Sequence, residues 1–405
     1  MMVKGMNDVA IFSRDEYEAR VRAVRNRMEQ QGLDTLIVTD PANINYLTGY
    51  DGWSFYVPQA IIVSLVLTEP LWVGREQDLF GARLTCWMNE NALKPYADHY
   101  VQSLIRHPMD YMAQVIKSYS LHHGRIGVEM DGYYFSALSY QRLLQGLPDA
   151  HFQDATLLIN WIRLIKSEAE IHVIKQAAHI VTRAMDTAME VIRAGVRECD
   201  AAAEVLRAQI QGTEEVGGDY PAIVPLMPSA VRTGAAHLTW VNRRYEPGDT
   251  VNIEIAGCVQ RYHCPLARSA VIGVPSPHLT ELSQVVAEGV TNALDVVKPG
   301  ALAEEVEGAW QKVIQHYGYQ KSSRLGYAVG LNYPPDWGEH TVSLRKGDLT
   351  ELQPNMVFHL IAGMWLDGYG LEISETFRVI PEGVEVLTGT ERKLFVLEEP
   401  QALCS

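Results

Sequence analysis

The chain has 405 residues, of which 47% are hydrophobic and 20% charged, with 31 Gly and 19 Pro. That is enough for two or three compact units, and it excludes disordered, collagen-like and disulfide-stapled chains. The 34 basic and 49 acidic side chains leave a formal charge of −15, which excludes nucleic acid as the main partner because phosphate binding needs a basic surface.

Cys86, Cys199, Cys258, Cys264 and Cys404 are odd in number and lack the paired spacing of a metal site. They read as small buried hydrophobes in a reducing compartment. The segment MMVKGMNDVAIF has no apolar core of a signal peptide, and no run approaches the roughly 18 apolar residues of a membrane span. The expectation is a soluble cytoplasmic protein with no membrane partner.

In chain order, Ser13 and Glu16 form a capping box for a helix with Tyr17, Val21, Val24 and Met28 on one face, closed by Gly32. LIVTD, AIIVSLVL from Ala60, LWVG from Leu71 and IGVEM from Ile126 read as strands with helices between them. This is an α/β domain over 1–160. Ser167 and Glu170 cap a second long helix, striped by Ile171, Ile174, Ala178, Val181, Met185 and Ile192 and ending at Gly195, which opens a domain over 161–405.

A shorter helix, CDAAAEVLRAQIQG, follows, and then strands. ELSQVVAEGVTNALDVVKPG, ending at Gly300, and ALAEEVEGAWQKVIQHYG repeat the plan. Two such units predict an α+β domain whose strands pair into one curved antiparallel sheet, helices outside and a site in the concavity. LEEPQALCS reads as a short tail.

In PGDTVNIEIAGCVQRYHCPLARSAVIG, a turn at Gly248 and Asp249 leads into a hairpin. Val251, Ile253 and Ile255 point one way, Asn252, Glu254 and Ala256 the other. Glu254 would be a solvated carboxylate on a domain surface, and would line the site instead in a concave sheet. By the same parity Leu371, Ile373 and Phe377 face the core and Glu372, Ser374 and Thr376 the opposite side, which makes His359, Trp365 and Glu372 site candidates. GAAHLTW carries His237 on a loop, and GYAVGLNYPPDWGEH carries Tyr327 in a Gly-flanked turn.

These segments, together with LDTLIVTDPANINYLTGYDGWSFY, IRLIKSEAEI, LQPNMVFHL and GVEVLT, resemble the creatinase/aminopeptidase P/methionine aminopeptidase superfamily from about Phe12 to Thr388. The resemblance implies a creatinase-like N-terminal domain and a C-terminal pita-bread domain. Metallopeptidases of that superfamily hold two metal ions with two Asp, one His and two Glu. At the corresponding places this chain has Glu254, Pro265, Tyr327, Ile361 and Ser374, and one carboxylate does not make a dinuclear site. The expectation is therefore no catalytic metal and no cofactor, as in creatinase.

GYDGWSFY, GLNYPPDWGEH, FHLIAGMW and GLEISETF are similar to the ectoine hydrolases, metal-free enzymes that open a cyclic amidine. That similarity implies a small zwitterionic substrate, the product N-acetyl-2,4-diaminobutyrate and a homodimer. Glu254 would act as nucleophile or as general base on water, with His237 and His263 as proton-transfer candidates. Trp53, Tyr327 and Trp365 would wall the amidinium, with Trp53 on a loop that reaches the partner subunit's site. Arg324 would take the substrate carboxylate. A creatinase-type enzyme for another guanidino compound, and a catalytically silent binding module, are the alternatives.

Overall fold

The computed structural model describes residues 11–398, so the reading of Cys404 and most of the C-terminal tail lies outside the described residues. The chain divides into two compact units between Ile162 and Arg163. Among the described residues no helix is long and apolar enough to cross a membrane.

The first unit runs α1 (Arg14–Gln31), β1 (Thr35–Val38), α2 (Pro41–Thr48), β2 (Ala60–Ser64), β3 (Leu71–Arg75), α3 (Leu79–Thr85), β4 (Leu93–Tyr96), α4 (Pro108–Ser118), β5 (Gly124–Val128), α5 (Ala137–Gly146), β6 (Ala150–Asp154) and α6 (Leu158–Arg163), the last crossing the division. Its strands form one mixed sheet in the order β4-β3-β2-β1-β5-β6.

Helix α1 begins where Ser13 Oγ accepts the Glu16 N–H at 3.3 Å and buries Tyr17, Val21, Val24 and Met28. The Glu16 carboxylate goes to Arg20 at 2.8 Å. Strand β2 stops at Ser64, short of the expected AIIVSLVL, because β1 offers only four residues to pair with and Arg25 claims the carbonyls of Ser64 and Leu67. β4 and β6 escape the apolar pattern because they are short, partly exposed edge strands.

The second unit continues with α7 (Glu168–Val191), α8 (Glu198–Gln211), β7 (Thr250–Val259), β8 (Tyr262–Ile272), α9 (Pro277–Asp295), α10 (Ala303–His316), β9 (Gly326–Val329), β10 (Gly338–Leu344), β11 (Val357–Leu366), β12 (Tyr369–Ile380), β13 (Gly383–Val386) and β14 (Phe395–Leu397). Ser167 and Glu170 form a complete capping box on α7, whose apolar stripe is buried. The helices stop short of the glycines expected to end them. Gly195 and Gly300 turn the loops beyond at φ 88° and 83°, donating to Tyr245 and Leu352 carbonyls.

The strands of this unit pair as a five-stranded sheet, β10-β9-β11-β12-β13, and a three-stranded one, β14-β8-β7. They do not form one continuous ladder, and β14 runs parallel to β8. Polar side chains bridge β8 and β12 where a ladder was expected. Ala267 N–H donates to Ser374 Oγ at 2.6 Å, Glu372 N–H to Ser269 Oγ at 2.8 Å, and Thr376 Oγ1 to the Pro265 carbonyl at 2.6 Å. Leu282, Val286 and Val290 of α9 and Trp310 of α10 pack on Phe358, Leu371, Ile373 and Phe377. That packing turns the even-numbered face of β12 away from the helices.

Candidate active site

The β7–β8 hairpin turns through Gln260 and Arg261, both at positive φ (49° and 68°), the signature of a two-residue hairpin loop that follows the strand twist. Arg261 is held there by its N–H to Asp219 at 3.1 Å and by its guanidinium on the Tyr220 and Asn332 carbonyls. Gly257 fixes which face is which, since a Cβ there would stand 1.9 Å from the Ala177 carbonyl of α7. The odd-numbered face of β7 thus packs on α7, and Asn252, Glu254 and Ala256 turn the other way. Both faces are buried.

Glu254 is only 5% exposed, and its backbone pairs with Leu226. Among the described residues no donor reaches its carboxylate, although buried polar groups are as a rule hydrogen-bonded. Burial, then the charges of Glu372 and Asp336, hold its pKa well above the usual carboxylate range.

Glu372 is tied into a network. Its carboxylate accepts from Trp365 Nε1 at 2.7 Å and from Asn252 Nδ2 at 3.4 Å, and Asn252 Oδ1 accepts from Ser269 Oγ at 2.6 Å. Burial pushes Glu372 up to about 7 against these bonds and the Lys321 charge. The Lys321 ammonium lies 4.4 Å over the Trp365 ring and donates to the Gly363 carbonyl at 2.9 Å. Burial lowers its pKa to about 8.

Tyr327 is not in a turn. It sits in β9 opposite His359 of β11, which in turn lies opposite Thr376 of β12. Cross-strand partners share a face, so Tyr327, His359 and, two residues along β12 from Thr376, Ser374 come together. His359 Nδ1 is 3.2 Å from Tyr327 Oη and Nε2 is 2.8 Å from Ser374 Oγ, and Trp337 Nε1 donates to Tyr327 Oη at 2.9 Å. Burial, then the Arg324 charge, lower His359 to about 3, so the ring is neutral. Burial, then the Glu254 charge, raise Tyr327.

His263, opposite Cys258, is also buried and lowered to about 3 by burial. Its Nε2 accepts the Ala222 N–H at 2.8 Å and its Nδ1 has no partner among the described residues. Arg324 is exposed, 4.3 Å over the Tyr327 ring, with Nη1 3.2 Å from Ser343 Oγ. His237 is exposed on a turn just after Ala230–Gly234, a segment bound to the site through Thr233, whose carbonyl accepts from Asn252. Trp53 belongs to the first unit, where it is 59% exposed and 5.2 Å from the Phe55 ring.

The structure therefore brings together Glu254, Glu372, Tyr327, His359 and Trp365. The sequence reading missed Lys321, Ser269 and Trp337 as parts of the cluster. Ser269 could have been found from the hairpin register opposite Asn252; Lys321 sits in an irregular segment with no local signal.

Residues 172–381 match metallopeptidase family M24, and residues 20–165 match the creatinase/prolidase N-terminal domain. An ectoine hydrolase from Halomonas elongata is 43% identical over 392 residues, 95% of this chain and 98% of that one. A Xaa-Pro dipeptidase from Pyrococcus horikoshii is 30% identical over 60% of this chain and 68% of its own. Among solved structures, a prolidase from Thermococcus sibiricus (20% identity) superposes with a TM-score of 0.81 over 94% of this chain and 99% of its own. An X-Pro aminopeptidase from Thermotoga maritima (22% identity) gives 0.78 over 93% and 99%; these two likenesses establish the fold.

The family name implies metal, and the donor set does not fit one. Among the described residues no group of three or more His, Cys, Asp or Glu is arranged to hold an ion, and Ile361 is paired with Ser374. Neither an alkyl chain nor a neutral hydroxyl committed to His359 can replace a carboxylate ligand. With both of its units matched and a full-length relative at 43% identity, the chain belongs to metallopeptidase family M24 and is a hydrolase with a creatinase-type N-terminal domain.

Proposed function

We propose that this hydrolase opens the cyclic amidine ring of ectoine, and of 5-hydroxyectoine, to N-acetyl-2,4-diaminobutyrate without a catalytic metal. The observation that carries the reading is Glu254, a buried carboxylate with no hydrogen-bond donor among the described residues and a second carboxylate, Glu372, acting on it. Such a pair is unfavourable until a cation arrives. The amidinium would supply the charge that draws Glu254 back to its ionised form, so substrate binding would itself generate the reactive oxygen. The 43% identity to an ectoine hydrolase supports the same substrate.

Glu254 acts as base on the water that adds to the amidine carbon, or attacks that carbon itself, in which case water then displaces Glu254 and the C–O bond to its carboxylate breaks. The C–N bond then breaks, and the departing ring nitrogen takes a proton. His237 is the proposed donor. His263 would have to act through Nδ1, since its Nε2 is engaged by Ala222. Trp365 and Tyr327 would wall the amidinium with the ring faces that Lys321 and Arg324 do not cover, and Arg324 would present a fork to the substrate carboxylate. In the proposed homodimer, Trp53 would serve the partner subunit's site.

The test is a substrate panel of ectoine, 5-hydroxyectoine and creatine followed by mass spectrometry, with and without chelator. Ectoine consumption that is indifferent to chelator, by protein free of stoichiometric metal, is expected. Two bound ions per chain, with activity lost to chelator and restored by metal, would overturn metal independence. Turnover of creatine alone would overturn the substrate.

A further inference from the structure

The direction of every hydrogen bond at Tyr327 follows from counting protons. Ser374 is fully buried, and its Oγ accepts the Ala267 N–H at 2.6 Å. Its own O–H needs an acceptor, and among the described residues the one in reach is His359 Nε2 at 2.8 Å. Nε2 is therefore unprotonated. The single proton of the neutral imidazole is on Nδ1, and it donates to Tyr327 Oη at 3.2 Å.

Trp337 Nε1 can only donate, and it donates to the same oxygen at 2.9 Å. Both lone pairs of the Tyr327 hydroxyl are thus filled, and its own proton has no acceptor among the described residues. In the reverse arrangement Tyr327 would donate to His359 and His359 Nε2–H to Ser374. That leaves the Ser374 O–H buried with nothing to accept it, at the full cost of its desolvation.

Tyr327 is half-buried, and the Glu254 charge acts on its hydroxyl. An amidinium in front of Glu254 presents nitrogens that have no free lone pair and cannot accept from that hydroxyl. Attack on the carbon between them returns a lone pair to the nitrogen. A donor fixed in advance matches the adduct and not the substrate, which is the condition for lowering the barrier.

We propose that Tyr327 is a catalytic hydrogen-bond donor to the ring nitrogen freed by attack at the amidine carbon, its proton aimed there by Ser374, His359 and Trp337 acting as positioning residues. The substrate in this proposal rests on the reading of the site given above, whereas the wiring does not.

Two measurements on the full-length protein separate them. Histidine nitrogen NMR of the substrate-free protein, with His359→Gln for assignment, is expected to find His359 protonated on Nδ1 and bare on Nε2; a proton on Nε2 overturns the proposal. With ectoine, Tyr327→Phe is expected to lower kcat about 10²- to 10³-fold, as loss of one preorganised donor does, with KM within about threefold. Ser374→Ala should lower kcat about tenfold and mix the two His359 tautomers. An unchanged kcat in Tyr327→Phe, or a loss confined to KM, overturns the donor role. An Nδ1–H tautomer in a protein that leaves ectoine intact would sink the substrate and support the wiring.

Discussion

Glu254 and Glu339 are both buried carboxylates of the second unit, and they are opposites. Glu339 has Lys166 at 2.7 Å and Arg163 at 3.3 Å, all three nearly inaccessible. Burial still raises Glu339, and the two cations oppose that rise. Glu254 has no donor and another carboxylate for a neighbour. Burial by itself therefore does not distinguish the two; the presence of a counter-charge at Glu339 and its absence at Glu254 does. In the proposed function it is the substrate's cation that would complete Glu254.

The comparison breaks first at Glu254. Glu254→Gln is expected to cut turnover of ectoine by about 10² to 10⁴ or more with a much smaller change in KM, measured by steady-state kinetics. The same variant should melt no lower than wild type at pH 8. A carboxyl whose folded pKa is raised holds its proton in the folded state while the unfolded chain has lost it, so stability falls as pH climbs through that window. Removing the group removes the loss.

Glu339→Ala should do the reverse. It leaves Lys166 and Arg163 buried without a counter-charge and is expected to cost about 3–5 kcal/mol in urea unfolding, with turnover per folded molecule near wild type.

Acid sharpens the contrast through the two neutral histidines. His263 and His359 are lowered from 6.5 to about 3. As pH falls through 6.5 the unfolded chain takes up protons that the folded protein refuses, so stability is lost down to about pH 3. Each ring contributes about 1.4 kcal/mol per pH unit within that window. Glu254 and Glu372 pull the opposite way above their ordinary range, so the measurable quantity is a difference. His359→Gln should show a shallower loss between pH 6 and 4 than wild type by about that amount per unit.

The smallest effect is expected at Trp53. It is exposed in the first unit, so Trp53→Ala should leave the melting temperature unchanged. It should raise KM by about 2- to 30-fold, the equivalent of about 0.5–2 kcal/mol for a cation–π contact. An unchanged KM would remove Trp53 from the site.

The helices and the strand parities were legible because each is a repeating local pattern. Ser13 and Ser167 cap where expected, and alternation along TVNIEIAG put Glu254 opposite the apolar stripe. Tyr327 was misread for a physical reason. Gly326 and Gly330 look like turn punctuation, yet a Cβ on Gly326 would lie 2.4 Å from the His359 carbonyl, so the glycine serves close strand approach.

What the sequence determined by itself is the sum of its near-neighbour chemistry: the capped helices, the strand alternation and the face on which Glu254 lies. What the tertiary structure decided is which of those faces is answered. Lys166 and Arg163 reach Glu339 across more than 170 positions of chain, and Asn252 reaches Glu372 across 120. Glu254 meets no donor at any separation among the described residues. Pairing between charges falls off over a few ångströms, whereas sequence pattern reports only neighbours a few residues away, so the isolation of Glu254 exists only once the chain is folded.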